Sequence, residues 1–294
     1  MLRLRVLTAV VGIPLALAII YAGGWWLVGA TSLLAVLALR EFYSLIVGIA
    51  HRTSGAPPPS VLTVCTAAGY VLAVVMPLAA IPGPALSLPH LALGIAALSH
   101  LAIGTSVLVA LASPLSRSRS FAPYLAIPAG AFVLPLLFTC LVRLRLLEHE
   151  PLAGLATPLP PGACWLFLVF AACWAGDSAA YAVGRTWGHR KLWPTVSPGK
   201  TVEGALAGLL ASIVIVAVLA WVFGVALYFG LALGVLMGVG GQLGDLAESK
   251  LKRWAGVKDS GSLLPGHGGV LDRFDSLLVN APLAYFFLRA VLWG

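Results

Sequence analysis

Asp245, Glu248, Ser249 and Lys252 fall at i, i+3, i+4 and i+7 in Gly241-Gln-Leu-Gly-Asp245-Leu-Ala-Glu248-Ser249-Lys250-Leu-Lys252-Arg253. On a helix those positions share one face, so an acid suited to a metal ion stands beside a base suited to phosphate. Lys250 and Arg253 point elsewhere and read as interfacial anchors. Next comes Val257-Lys258-Asp259-Ser260-Gly261, then Pro265-Gly266-His267-Gly268-Gly269-Val-Leu-Asp272-Arg273-Phe-Asp275. Three glycines around His267 let the backbone take positive φ and bring its amides close to a ligand. Asp272 and Asp275, at i and i+3, could simply cap a helix and complement its dipole. Two acids, an arginine and a glycine-rich approach exceed what capping needs, and they point to the handling of an anionic ligand.

Two further stretches carry the same chemistry. Asp177, in Trp174-Ala-Gly-Asp177-Ser-Ala-Ala-Tyr181, sits inside an apolar run, where an ionisable group is costly and marks function by default. It shares a helical face with Tyr181 and Gly184, roughly 10 Å below the helix end. The connection that follows contains Ser197-Pro-Gly-Lys200-Thr201-Val-Glu203-Gly204. It is expected to open a helix, with Thr201 or Ser197 as cap and its amides facing an anion. The Lys-Thr pair lacks the spacing of a P-loop, so a capped helix with interfacial charge explains this fragment equally well.

The elements that must hold these residues are membrane helices. Hydrophobic residues make up 60% and charged residues 10% of the 294, with a mean hydropathy of +1.00. Soluble domains are nearer 45–50% apolar and about 25% charged. At about 20 apolar residues per span, nine spans are expected, near 5–24, 25–43, 61–81, 89–112, 124–143, 163–184, 202–221, 222–244 and 276–293. The basic start and the run from Val6 to Ala22 resemble a secretory signal. The length of the run and the lack of a polar cleavage region favour a retained first span. Gly23-Gly24 before Trp25-Trp26, and Val222–Gly224, read as tight turns between spans. Nine spans put fifteen of the 18 Lys and Arg residues on the N-terminal side; only Arg143, Arg145 and Arg289 lie on the other. That asymmetry makes the basic side cytoplasmic, with the N-terminus inside and the C-terminus outside. The net charge of +8 is then topology plus attraction to anionic lipid, with no nucleic-acid partner implied. Cys65, Cys140, Cys164 and Cys173 show neither metal-ligand spacing nor a disulfide framework. The fold class is therefore an all-α polytopic bundle. Residues 1–162 form an N-terminal part of five spans, and 163–294 a catalytic part of four.

The run Ser249-x-Leu-Lys-Arg-x4-Lys-Asp-x-Gly-x2-Leu-Pro-x-His-Gly-Gly-Val-x-Asp-Arg-Phe-Asp275 resembles, without departure, the signature of the phosphatidate cytidylyltransferase (CDP-diacylglycerol synthase) family. Glu41-Phe-Tyr, Gly176-Asp-Ser-Ala-Ala-Tyr181, Ser197-Pro-x-Lys-Thr-x-Glu-Gly204 and Gly244-Asp245 are also similar to it. The strongest likeness covers about residues 170–280. It implies CTP and phosphatidate as substrates, CDP-diacylglycerol and pyrophosphate as products, and a cytoplasmic-face site in an inner or plasma membrane. It also implies magnesium, in some members a second cation such as potassium, and a homodimer among membrane lipids. Residue by residue, the resemblance makes Asp245 and Asp272 the metal ligands. It turns Ser249, Lys252, Lys258, Arg273 and His267 toward phosphate. Asp245, Asp272, Lys258 and Arg273 are the catalytic set; Asp177, Ser197, Lys200, Ser249, Lys252 and His267 bind substrate.

The residue types suit that reaction. A phosphomonoester is already anionic near neutral pH, its second pKa being about 6, so no strong general base is needed. The barrier lies in bringing two polyanions together and stabilising a pyrophosphate leaving group, which metal ions and Lys/Arg clamps do. A CTP-dependent lipid kinase of the polyprenol type would use similar acids but transfer the γ-phosphate. An ion-coupled transporter using Asp177 as a relay would need paired broken helices near the midplane; the polar residues instead cluster on one side.

Overall fold

The computed structural model of the chain describes residues 2–54, 61–81, 122–147, 159–263 and 268–293. In order, these form α1 (Leu2–Ala22), α2 (Gly24–Ser54), α3 (Val61–Ala79), α4 (Ala122–Arg145) and α5 (Pro161–Thr186). Then follow β1 (Lys191–Trp193), β2 (Ser197–Thr201), α6 (Val202–Val222), α7 (Leu227–Ala255) and α8 (Leu271–Trp293). Among the described residues, six helices are long and apolar enough to cross a membrane: Gly24–Arg52, Ala126–Arg145, Pro161–Thr186, Val202–Val222, Leu227–Ala255 and Leu271–Val291. Val10–Ala22 and Thr66–Ala79 are shorter apolar helices. The chain is a multi-pass α-helical membrane protein, and the span expected at 89–112 lies outside the described residues. Gly23 and Gly24 both take positive φ, 59° and 47°, and make the tight turn their spacing implied. Gly224, at φ 80°, does the same after α6.

One expectation needs correction. Ser197 does not open a helix: residues 197–201 are the second strand of a small antiparallel hairpin, with Lys191 opposite Thr201 and Trp193 opposite Ser197. Pairing with 191–193 holds these residues extended, since Ser197-Pro198 by itself would suit a helix start equally well. The helix opens one turn later, where the Thr201 hydroxyl accepts from the Gly204 N–H at 3.2 Å and caps α6. Among the described residues the bundle is therefore helical except for this hairpin.

The chain divides into two compact units. The first comprises Met1–Gly23, Arg143–Lys250 and Arg273–Gly294; the second comprises Gly24–Val142 and Leu251–Asp272. In the first, small residues let helix backbones approach closely. A Cβ on Gly204 would lie 2.7 Å from the Ala180 carbonyl oxygen, and one on Gly208 would lie 2.9 Å from that of Gly176, fixing α6 against α5. Gly234 of α7 faces the Ile213 backbone of α6, and Gly244 faces the Asp275 carbonyl of α8 at 2.6 Å from a Cβ. Leu206, Leu210, Val214, Val218 and Trp221 form an exposed stripe along α6. Such a stripe suits a hydrocarbon solvent, in which apolar side chains need no cover. In the second unit, Tyr43 of α2 meets Tyr70 of α3 edge-on, with ring centroids 5.7 Å apart. Phe42 lies where a side chain on Gly130 of α4 would go.

Candidate active site

The first unit contains a cavity of about 540 Å³. Asp177, Tyr181 and Arg185 of α5, Ser197 and Lys200 of the hairpin, and Gln242 and Asp245 of α7 line it; Ser276 and Asn280 of α8 complete the wall. The hairpin brings Lys200 here. Its base is tied down by Glu203, whose carboxylate accepts from the His189 and Arg190 amides at 3.2 Å. Lys200 Nζ then lies 2.5 Å from Asp245 Oδ2, with the two side chains 28% and 29% exposed. One turn along α7, the Ser249 hydroxyl donates to Asp245 Oδ1 at 3.3 Å, as the i, i+4 spacing implied. Arg185 donates to the Tyr181 hydroxyl at 2.8 Å, adding a second cation to the cavity wall.

Deeper in the wall the polar groups are mostly engaged with backbone. Gln242 donates to the Ala205 carbonyl at 2.9 Å, Ser276 to that of Gly241 at 3.1 Å and Ser212 to that of Ala172 at 3.2 Å. These bonds cross between helices and hold the walls in register. Asn280, buried, donates to the Cys173 sulfur at 3.3 Å, while its Oδ1 has no hydrogen-bond partner among the described residues.

The second unit contains another acid–lysine pair. Lys252 Nζ lies 2.6 Å from Asp272 Oδ1, with side chains 12% and 4% exposed. Asp272 Oδ2 accepts three more bonds: from the Ser260 amide at 2.8 Å, the Ser260 hydroxyl at 3.0 Å and the Gly269 amide at 2.7 Å. Gly268, at φ 84°, makes the turn that aims the Gly269 amide at this oxygen. The next two amides, of Val270 and Leu271, donate to the Glu41 carboxylate at 2.9 Å each. The glycine-rich approach was expected to present its amides to a ligand; those of residues 269–271 instead serve two carboxylates of the chain itself. Lys258 and Arg273 are exposed, and His267 lies outside the described residues.

The site residues expected from sequence thus fall into two sets. Asp177, Ser197, Lys200, Asp245 and Ser249 belong to the first unit, and Asp177, Ser197, Lys200 and Asp245 line one cavity. Lys252, Lys258 and Asp272 belong to the second. Arg273, the next residue after Asp272, is counted with the first. Glu41, Ser260, Glu203 and Asn280 were not singled out as site residues. A buried acid inside the apolar run of α2 was the available signal for Glu41.

Among the described residues, no group of three or more His, Cys, Asp or Glu side chains is arranged to hold a metal ion. The acids still fit a hard cation. Asp245 and Asp272 offer carboxylate oxygens of the kind magnesium takes, with the rest of its octahedral shell left to water and substrate phosphates. In each, a lysine ammonium lies at 2.5–2.6 Å from one oxygen, so a positive charge already stands where a cation would.

In a chain of membrane-crossing helices, a cavity wall that joins an acid–lysine contact to a second cation suits phosphorylated ligands beside a lipid phase. Residues 3–291 match the cytidylyltransferase family, and the chain belongs to that family. It is similar to the phosphatidate cytidylyltransferase of Synechocystis sp., 35% identical over 305 residues that cover 98% of this chain and 97% of the relative. The phosphatidate cytidylyltransferase of Bacillus subtilis is 46% identical over 129 residues, 43% of this chain and 48% of the relative. That of Staphylococcus aureus is 44% identical over 129 residues, 43% of this chain and 50% of the relative.

Proposed function

We propose that the chain joins CTP to phosphatidate, giving CDP-diacylglycerol and pyrophosphate at the cytoplasmic face of the cell's inner or plasma membrane. The observation that carries this reading is the cavity in which Lys200 and Asp245 meet beside Asp177 and Arg185, in a chain similar over its length to a phosphatidate cytidylyltransferase. A phosphate oxygen of phosphatidate attacks the α-phosphorus of CTP. The new P–O bond forms as the bond to the β-phosphate breaks, and the electron pair leaves with pyrophosphate. The attacking oxygen is already anionic, so no side chain has to remove a proton.

Lys200 and Arg185 hold phosphate oxygens at the cavity wall and offset the repulsion between two anions. Ser197 and Ser249 donate to further oxygens, and Lys252, Lys258, Arg273 and His267 supply charge and hydrogen bonds from the signature segment. Asp245 and Asp272 would hold magnesium, which supplies charge neutralisation for the phosphates and the leaving group. Potassium as a second cation, a homodimeric assembly and nine spans with the N-terminus inside complete the reading, as does a catalytic part within 163–294. The fifteen-to-three split of Lys and Arg supports the sidedness.

The test is incubation of the purified protein with CTP, phosphatidate and magnesium. Pyrophosphate and CDP-diacylglycerol are expected in equal amounts. Release of CDP with a newly phosphorylated lipid would replace this reading with a CTP-dependent lipid kinase.

A further inference from the structure

Glu41 is a carboxylate in the middle of the apolar α2, next to the exposed Arg40, and it is buried. A buried charge persists only where hydrogen bonds compensate its lost hydration. Among the described residues, the compensation comes from one distant stretch of chain. Glu41 Oε1 accepts from the Val270 amide, and Oε2 accepts from the Leu271 amide and the Ser260 hydroxyl, each at 2.9 Å. The first two donors are backbone N–H groups at the opening of α8, which have no partner within their own helix. Glu41 therefore caps α8 from another helix. It also touches Asp272 through a shared neighbour, since the Ser260 hydroxyl lies 2.9 Å from Glu41 and 3.0 Å from Asp272.

The sequence of the loop fits this closure. A Cβ on Gly261 would lie 2.7 Å from Glu41 Oε1, and one on Gly269 would collide with Glu41 Oε2 and the Ser260 hydroxyl. Neither glycine has a positive φ. Both are small because the backbone passes against the carboxylate, not because the turn demands it.

We infer that Glu41 is a positioning residue for the reaction: it fixes Ser260 and the amides of Val270 and Leu271, and through Ser260 the carboxylate of Asp272, without touching substrate. This rests on the proposed function for its catalytic consequence, but not for its structural one. Glutamine at 41 keeps the size of the side chain and exchanges one acceptor oxygen for a donor, so at least one of the three bonds is lost.

Hydrogen exchange followed by mass spectrometry on the purified full-length chain reads those bonds directly. In Glu41→Gln, amides in 260–271 are expected to exchange at least about tenfold faster, while those of the hairpin 189–201 stay as in the wild type. In the same preparation kcat should fall about tenfold or more, while KM for CTP stays within about twofold, because the cavity that holds Lys200 and Asp245 is untouched. Glu41→Ala, which removes all three bonds, should exceed Glu41→Gln in both readouts. Unchanged exchange in 260–271, equal acceleration in the hairpin, or full turnover despite a loosened segment would each overturn the inference. If the wild type makes no CDP-diacylglycerol, the proposed reaction is wrong, and the exchange comparison still decides whether Glu41 holds the loop.

Discussion

The two acid–lysine pairs look alike in composition and differ in what surrounds them. Asp245 meets Lys200 at a cavity wall; each side chain keeps more than a quarter of its exposure, and the second carboxylate oxygen carries a long bond from Ser249. Asp272 meets Lys252 almost out of solvent, and its second oxygen takes two backbone amides and a hydroxyl. An exposed pair is weakly held and exchanges its partner readily. A buried one is costly to break, since removing one charge strands the other. The same residue types are therefore loosely paired at a cavity wall in one unit and locked into a loop in the other.

The sharpest way to break that contrast is to remove the charge from each acid in turn. Asp272→Asn should show the largest effect, abolishing measurable pyrophosphate release and also destabilising the protein. Stranding Lys252 would cost about 3 kcal/mol, seen as a clear fall in the detergent unfolding temperature. Asp245→Asn should lose about 100-fold in turnover with an unfolding temperature within about 2 °C of the wild type. Raised magnesium should restore part of that loss. Equal destabilisation by the two variants would erase the distinction between the pairs.

Smaller effects sharpen it. Arg273→Lys should remain impaired by about tenfold, because an ammonium cannot reproduce a bidentate fork on phosphate. Lys258→Ala should fall in the same range, and circular dichroism should show both variants folded. Glu203→Gln weakens the anchor of the hairpin that carries Lys200. It should raise KM for CTP about threefold while leaving the unfolding temperature unchanged. A larger loss there than in Asp245→Asn would mean that hairpin placement, rather than the acid, governs the cavity.

Much of this was legible in the sequence because it depends on local periodicity. Span length reports helices directly, and the i, i+4 spacing of Asp245 and Ser249 became a hydrogen bond. The same spacing placed Lys252 on that face but could not give its partner, because Asp272 is brought to it by a loop of non-repeating backbone. The hairpin was missed because Ser-Pro-Gly-Lys-Thr reads equally as a turn, a strand end or a helix opening, and only its pairing with 191–193 decides. Glu41 was legible only within Glu41-Phe-Tyr, a short fragment similar to the family, with no role attached. Its role depends on amides 229 and 230 positions away.

The glycine seams of α5, α6 and α7 have a consequence for selectivity. Where Gly176 faces Gly208, and Gly234 faces the Ile213 backbone, the helices touch main chain to main chain. At the α5–α6 seam the Ser212 hydroxyl lies against Gly176 and the rest is close backbone packing, so that wall of the cavity is set by the main chain. The wall acts as a fixed gauge. Adjustment of the opening falls to the hairpin, whose Lys200 reaches Asp245 with a long, rotatable side chain.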